Sequence, residues 1–286
     1  MTADTPRFHH ECKPTFCIIA PTPYLDYVHN YSGQSNTHLV LAHIVDNNPV
    51  YANFYKAISK TPNCRIIMDN GAFELGQSYA PEKLIALGHL CGADAIVLPD
   101  YPFEFSHVTI DAAKTWQPII RDEGFDTMFV PQSKRGELED WIMGYQWAAD
   151  NDVDIIGMSI LGVPNALPHI PAAYARVVMT ELLLDRKVFA SKYHHYLGLN
   201  AGPALEIPPL LKMEALNSCD SSNPVWMGIL GHEYSTNTDS YLAVKKVKKE
   251  VDFDYPWIQD LATHERITRN LDLTMQLFDT HRKGNV

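Results

Sequence analysis

The chain has 286 residues, 46% of them apolar, and a formal net charge of −11. That is enough for one large α/β domain with a full core, and a single barrel of this size is ordinary. The acidic balance argues against broad electrostatic binding of nucleic acid, and no apolar run approaches the roughly 18 residues that a membrane span needs.

The polar start, MTADTPRFHHECKP, has no apolar signal region, so a cytoplasmic protein is expected. The five cysteines are scattered, odd in number and without a CxxC pair, which speaks against a disulfide framework. His9, His10, Cys12 and Cys17 come nearest to a metal-ligand set, but they lack the paired close spacing of a structural zinc site. No metal and no cofactor is expected. Lys245, Lys246, Lys248 and Lys249 form the densest basic run, and from spacing alone they read as a solvated helix face.

In chain order, Thr15–Ala20 (TFCIIA) reads as a first strand, ended by Pro21 and Pro23. The stretch to about Ser59 is mixed: THLVLAHIV suits helix or strand, VYANFYKAIS suits a helix, and a long excursion from the sheet is expected. Arg65–Met68 is the next strand. Ala80–Cys91 is a helix, with Pro81 near its start and Gly92 at its C-cap. Ala95–Leu98 is a strand, His107–Glu123 a helix closed by Gly124, and Thr127–Val130 a strand. Glu137–Ala149 is a helix and Asp154–Ile160 a strand. Pro171–Leu184 is helical and Tyr196–Leu199 extended. Ala204–Met213 is a helix that Pro208 and Pro209 must kink or start late. Ala215–Cys219 is a strand, a last short strand falls near Val251–Phe253, and Trp257–Phe278 is a long amphipathic closing helix. This alternation predicts a parallel sheet. Seven or eight such units predict a single (β/α)8 TIM barrel over residues 1–286, with a doubly wound sheet as the alternative.

The chemistry of a barrel sits at the C-terminal ends of its strands. Asp69 ends the second expected strand and is followed by Asn70 and Gly71. Asp100 ends the third and Gln132 the fourth; Gly157 and Ser159 lie on the fifth; Asn200 ends the sixth and Asp220 the seventh. Each alone suits a cap or turn, where Asp and Asn are common. A barrel gathers them at one mouth, where like charges raise one another's pKa and are costly unless a substrate or the chemistry uses them. No Gly-rich phosphate loop accompanies them, and His232–Glu233 lacks the second histidine of a metalloprotease helix. Three acids and a glutamine point to acid–base and nucleophilic work on a glycosidic bond, or to recognition of a donor-rich base.

The motifs MDNGAFELG, VLPDYP, FVPQ, IIGMSI, YLGLN and SCDSSNP, in this order over roughly Ile66 to Pro224, resemble the tRNA-guanine transglycosylase superfamily. The resemblance implies a (β/α)8 barrel that replaces a guanine in nucleic acid with a 7-deazaguanine. It implies Asp220 as the nucleophile that attacks C1′ and expels guanine, leaving a covalent glycosyl-enzyme, with Asp69 as general acid/base. It implies that Asp100 accepts from N1–H and the 2-amino group of the base, and that Gln132 and the backbone N–H of Gly157 donate to O6. Leu197–Gly198–Leu199 would form an apolar wall beside the base, and Asn70, Phe73 and Ser159 belong to the same base site. An ionised carboxylate accepts twice, as a guanine edge demands.

The tRNA enzymes carry a C-terminal zinc site of three cysteines and a histidine. This chain has no cysteine after Asp220 and is shorter than those enzymes. It is similar in type to the phage proteins that insert 7-deazaguanines into DNA, a modification that protects against restriction. DNA is therefore expected as one partner and a free 7-deazaguanine such as preQ0 as the other, in the host cytoplasm for a phage-encoded chain. Lys245, Lys246, Lys248 and Lys249, with Arg266 and Arg269 as helpers, are then expected to contact phosphates. Exchange on tRNA, a non-catalytic nucleic-acid-binding paralogue and an unrelated barrel glycosidase stand as alternatives. The paralogue has no physical need to keep three clustered acids, and the glycosidase none for the Asp100–Gln132 clamp.

Overall fold

Parallel strands alternate with helices in this computed structural model, which describes residues 7–31, 36–199, 203–234 and 250–283. The strands are β1 (Thr15–Ile18), β2 (Thr37–Leu41), β3 (Arg65–Asp69), β4 (Ala95–Val97), β5 (Asp126–Phe129), β6 (Ile155–Gly157), β7 (Tyr193–Tyr196) and β8 (Ser218–Ser221). After a 3-10 turn at Thr22–Tyr24 come α1 (Leu25–Tyr31), α2 (Ala42–Asn47), α3 (Pro49–Ile58), α4 (Ala72–Leu75), α5 (Pro81–Cys91) and α6 (Ser106–Asp122). They are followed by α7 (Leu138–Asp150), α8 (Gly162–Ala166), α9 (Ala172–Asp185), α10 (Pro203–Lys212), α11 (Asn223–Ile229) and α12 (Leu261–Lys283). The strands pair in parallel in the order β1-β8-β7-β6-β5-β4-β3-β2. The two end strands of that order, β1 and β2, lie beside each other, so the sheet curls into a nearly closed (β/α)8 barrel.

Successive side chains of a strand point to opposite faces. Phe16, Val40, Ile66, Ile96, Phe129 and Ile156 pack outward in the larger core, which also takes in the buried residues of the surrounding helices. Cys17, Leu39, Ile67, Ala95, Met128, Ile155 and Tyr193 form a second cluster on the alternate face, along the barrel axis. With both faces buried, most strands read as near-continuous apolar runs, which is why they were legible. The same alternation carries chemistry to the axis: Asp69 stands two residues beyond Ile67, and Asp220 two beyond Ser218.

The structure corrects several boundaries. THLVLAHIV is strand up to Leu41 and helix from Ala42, so no excursion interrupts the barrel. With β2 counted, Asp69 ends the third strand, Asp100 and Gln132 follow the fourth and fifth, Gly157 ends the sixth, and Asp220 lies within the eighth rather than after it. β7 is Tyr193–Tyr196, so Leu197–Leu199 follow the strand instead of forming it. β6 stops at Gly157, and Ser159 sits in the loop beyond. Val251–Phe253 is not a strand; the Phe253 carbonyl accepts from the Thr22 N–H at 2.8 Å. α10 starts at Pro203, so Pro208 and Pro209 do not delay it. α12 starts four residues after Trp257, because Asp260 caps it: its carboxylate accepts from the N–H groups of Ala262 (3.3 Å) and Thr263 (3.1 Å). Among the described residues no helix is long and apolar enough to cross a membrane.

Candidate active site

A cavity of about 620 Å³ opens at the C-terminal ends of the strands. Asp69, Asn70, Phe73, Asp100, Gln132, Ser159, Leu197, Gly198 and Asp220 all line it, over an apolar floor of Ile19, Leu39, Leu41, Val97 and Val130. Residues from six strand ends, far apart in sequence, thus meet at one mouth, as barrel topology requires.

The turn after β3 is held by its own side chains. The Gly71 N–H donates to Asp69 Oδ2 at 2.8 Å, and the Ala72 N–H to Asn70 Oδ1 at 2.9 Å. Gly71 has φ +78°, where a Cβ is strained, and one would also crowd Tyr79 at 3.1 Å. Phe73, on the following α4, stands at the rim, 60% exposed.

Asp100 is buried and gripped by two amides. Asn70 Nδ2 donates to Oδ1 at 2.7 Å, and Gln132 Nε2 to Oδ2 at 2.6 Å. Asn70 is itself oriented by a second bond, to the Leu98 carbonyl at 2.9 Å. Burial pushes the Asp100 carboxyl above the usual carboxylate range, and the two amides pull it part of the way back. A carboxylate only accepts, so the Gln132 nitrogen must face it, and Gln132 Oε1 is left buried without a partner. Gly162 makes room for that oxygen: a Cβ there would lie 2.8 Å from it. Ser159 Oγ accepts from the N–H groups of Leu161 and Gly162, both at 3.1 Å, and so starts α8.

Asp220 Oδ1 accepts from the Gly198 N–H at 2.8 Å and lies 3.1 Å from His195 Nε2. Both bonds fall on one oxygen, and Oδ2 has no hydrogen-bond partner among the described residues. His195 is fully buried, and its Nδ1 lies 2.6 Å from Ser218 Oγ. Because the carboxylate cannot donate, a neutral His195 carries its proton on Nε2 and Ser218 donates to Nδ1. The chain Ser218–His195–Asp220 thereby fixes the carboxylate plane. Gly198 is fixed in turn from behind. The fully buried Arg176 donates to the carbonyls of Met158 (3.1 Å), Leu197 (2.9 Å) and Gly198 (2.7 Å), and pairs with Glu206 through two further bonds at 2.8 and 2.7 Å. All five guanidinium donors are used.

Other expected positions fall elsewhere. Gly157 does not line the cavity; it ends β6 under Leu197, Val130 and Met128, where a Cβ would meet Val130 at 2.8 Å. Arg266 is tied to the protein itself, through the Gly228 carbonyl (3.2 Å) and Thr263 Oγ1 (2.7 Å), and Arg269 pairs with Glu233 at 2.9 Å. Lys245, Lys246, Lys248, Lys249 and Asn200 lie outside the described residues. Among the described residues, no group of three or more His, Cys, Asp or Glu side chains is placed to share a metal ion. Sequence reasoning missed His195, Arg176 and Glu206, and also His43 and Phe253, which line the cavity. The one available signal was the His194–His195 pair immediately before the YLGL motif.

The fold and site define a (β/α)8 barrel with three buried acids at its mouth. Comparison with models of known protein families and with curated proteins found no match.

Proposed function

We propose that the chain is a base-exchange transglycosylase that replaces guanine in DNA with a 7-deazaguanine such as preQ0. The observation that carries this reading is the division of labour among the acids. Asp100 is held by two amides as a fixed acceptor, whereas among the described residues Asp220 keeps one oxygen without a hydrogen bond over the same cavity. A guanine-type base presents N1–H and a 2-amino group side by side, and a buried carboxylate matches that donor edge. Phe73, Leu197 and Gly198 supply apolar walls, and Gln132 can offer its second N–H to O6.

In the first step Asp220 Oδ2 attacks C1′ and the C1′–N9 bond breaks. Asp69 gives a proton to the departing guanine, and the sugar is held as a glycosyl ester. Asp69 then takes the N9 proton of the incoming 7-deazaguanine, whose N9 attacks C1′ and restores the Asp220 carboxylate. The polymer is unchanged except for the base. A target inside a duplex must be flipped out to reach the cavity, and water must be kept out while the ester exists.

The test is incubation with labelled guanine or 7-deazaguanine and either DNA or tRNA. Label in DNA supports the reading. Label in tRNA alone moves the substrate to tRNA, and label in neither removes the exchange activity.

A further inference from the structure

Thirteen large apolar side chains are exposed among the described residues, and five of them, Phe73 and Leu75 on α4 and Tyr101, Phe103 and Phe105 in the loop after β4, lie in the consecutive connections that follow β3 and β4. Phe73 and Pro102 line the mouth itself, so these connections form one side of its rim. Tyr101, Phe103 and Phe105 are 44%, 51% and 38% exposed.

The loop is built to hold a ring outward. The Glu104 N–H donates to the Tyr101 carbonyl at 3.2 Å, closing a four-residue turn with Pro102 and Phe103 at its centre. Phe103 has φ +69°, at the position where such a turn asks for glycine or asparagine. A bulky residue in this conformation is strained, and burial does not offset the strain because half the side chain is exposed. The base of the loop is pinned by the Tyr101 N–H to Thr109 Oγ1 (3.2 Å) and by Ser106 to Asp140 (2.9 and 2.7 Å). Cations stand beside the rings. Lys134 Nζ lies 4.7 Å from the Phe105 ring centre, and Arg135 is exposed with no ion pair or hydrogen bond among the described residues. Glu104 pairs with Lys134 at 3.6 Å, while Asp140 is engaged by Ser106 at the base of the loop. The two cations stand two and three residues after Gln132, so they flank the base clamp.

We infer that this rim is a stacking platform for unpaired bases flanking the target nucleotide, with Tyr101 and Phe103 under the bases and Lys134 and Arg135 toward the phosphates. Aromatic faces accept any base, so the platform grips single-stranded nucleic acid without reading sequence. The inference rests on the proposed action on nucleic acid and adds the surface that holds the strand.

The test is the affinity of wild type, Phe103→Gly and Phe103→Trp for a fluorescent single-stranded DNA of about 15 nucleotides with one central guanine, with melting temperature and free-guanine binding measured alongside. Glycine suits φ +69°, so Phe103→Gly should melt no lower than wild type. It should bind the oligonucleotide at least about fivefold more weakly, keep its affinity for free guanine, and recover with Phe103→Trp. Equal oligonucleotide affinity for wild type and Phe103→Gly overturns the platform alone and leaves exchange standing. No oligonucleotide binding by wild type overturns the nucleic-acid reading and the platform together. A wild-type dimer that Phe103→Gly dissociates would make the rim a contact between copies and overturn the inference.

Discussion

At Asp100 two opposing effects act on one carboxyl. Burial raises its pKa, and the amides of Asn70 and Gln132 lower it, with burial the larger. A raised pKa means that the folded state holds this proton more tightly than the unfolded chain, so keeping the carboxylate ionised at neutral pH costs stability. In the proposed reaction, base binding needs the ionised form. The affinity for free guanine should therefore fall as pH is lowered, starting at a higher pH than an ordinary carboxyl near 3.9 would give. Calorimetric titration between pH 8 and 4 checks this, and a flat profile would contradict it. Asp100→Asn should lose about 1–3 kcal/mol or more of base affinity, because a donor then faces a donor edge. Its melting temperature at pH 7.5 should be unchanged or higher, which separates loss of binding from loss of fold. Asp69, Asp100, Gln132 and Asp220 were legible because each ends or follows a short apolar run. His195 was not, because its partners, Ser218 and Asp220, stand more than 20 residues away and meet it only through the pairing of β7 with β8.

At the scale of elements, the apolar runs gave β1, β3, β4 and β5 and the helices α5, α6 and α7 to within a residue or two, whereas α1 and α4 went unpredicted. β7 (YHHY) escaped because no apolar alternation marks it. His194, His195 and Tyr196 find partners far away in sequence, such as the Tyr145 hydroxyl for His194 Nε2 at 2.9 Å. Burial holds His194 neutral, its pKa lowered to about 4. β2 escaped because strand and helix share one apolar run with no glycine or proline between them. The Arg176–Glu206 pair joins α9 and α10 to the loop carrying Gly198, and its side chains are fully buried. Removing one partner leaves a buried charge uncompensated, so Glu206→Gln should cost about 3–5 kcal/mol in denaturant unfolding. Changing both residues to apolar ones should cost less than the two single changes summed. Additive costs would show that the pair is not a unit.

At the scale of the molecule, acids gather at both ends of the barrel. At the N-terminal end Asp94, Asp126 and Asp154 stand at the starts of β4, β5 and β6, with Arg7 on Asp94 and Arg121 on Asp154, each at 2.7 Å. Burial, then Asp154, pushes Asp126 up to about 6 against the pull of Arg7 and Arg121. The folded state thus keeps a proton that the unfolded chain releases near pH 3.9. The stability this group contributes is present below that pH and lost as pH rises through about 6. Asp126→Asn should raise the melting temperature at pH 8 by about 1–3 °C, since the site is partly solvated, and give no gain at pH 4. A gain equal at both pH values would contradict the linkage. This end bears on stability; the opposite end bears on chemistry. The most direct measurement there is mass spectrometry of the denatured protein after mixing with guanine-containing DNA and no incoming base. Wild type should carry a DNA adduct on the peptide containing Asp220, in step with guanine released, and Asp220→Ala should carry none. An adduct that persists in Asp220→Ala, or one mapped to Asp69, would contradict the assignment of the nucleophile.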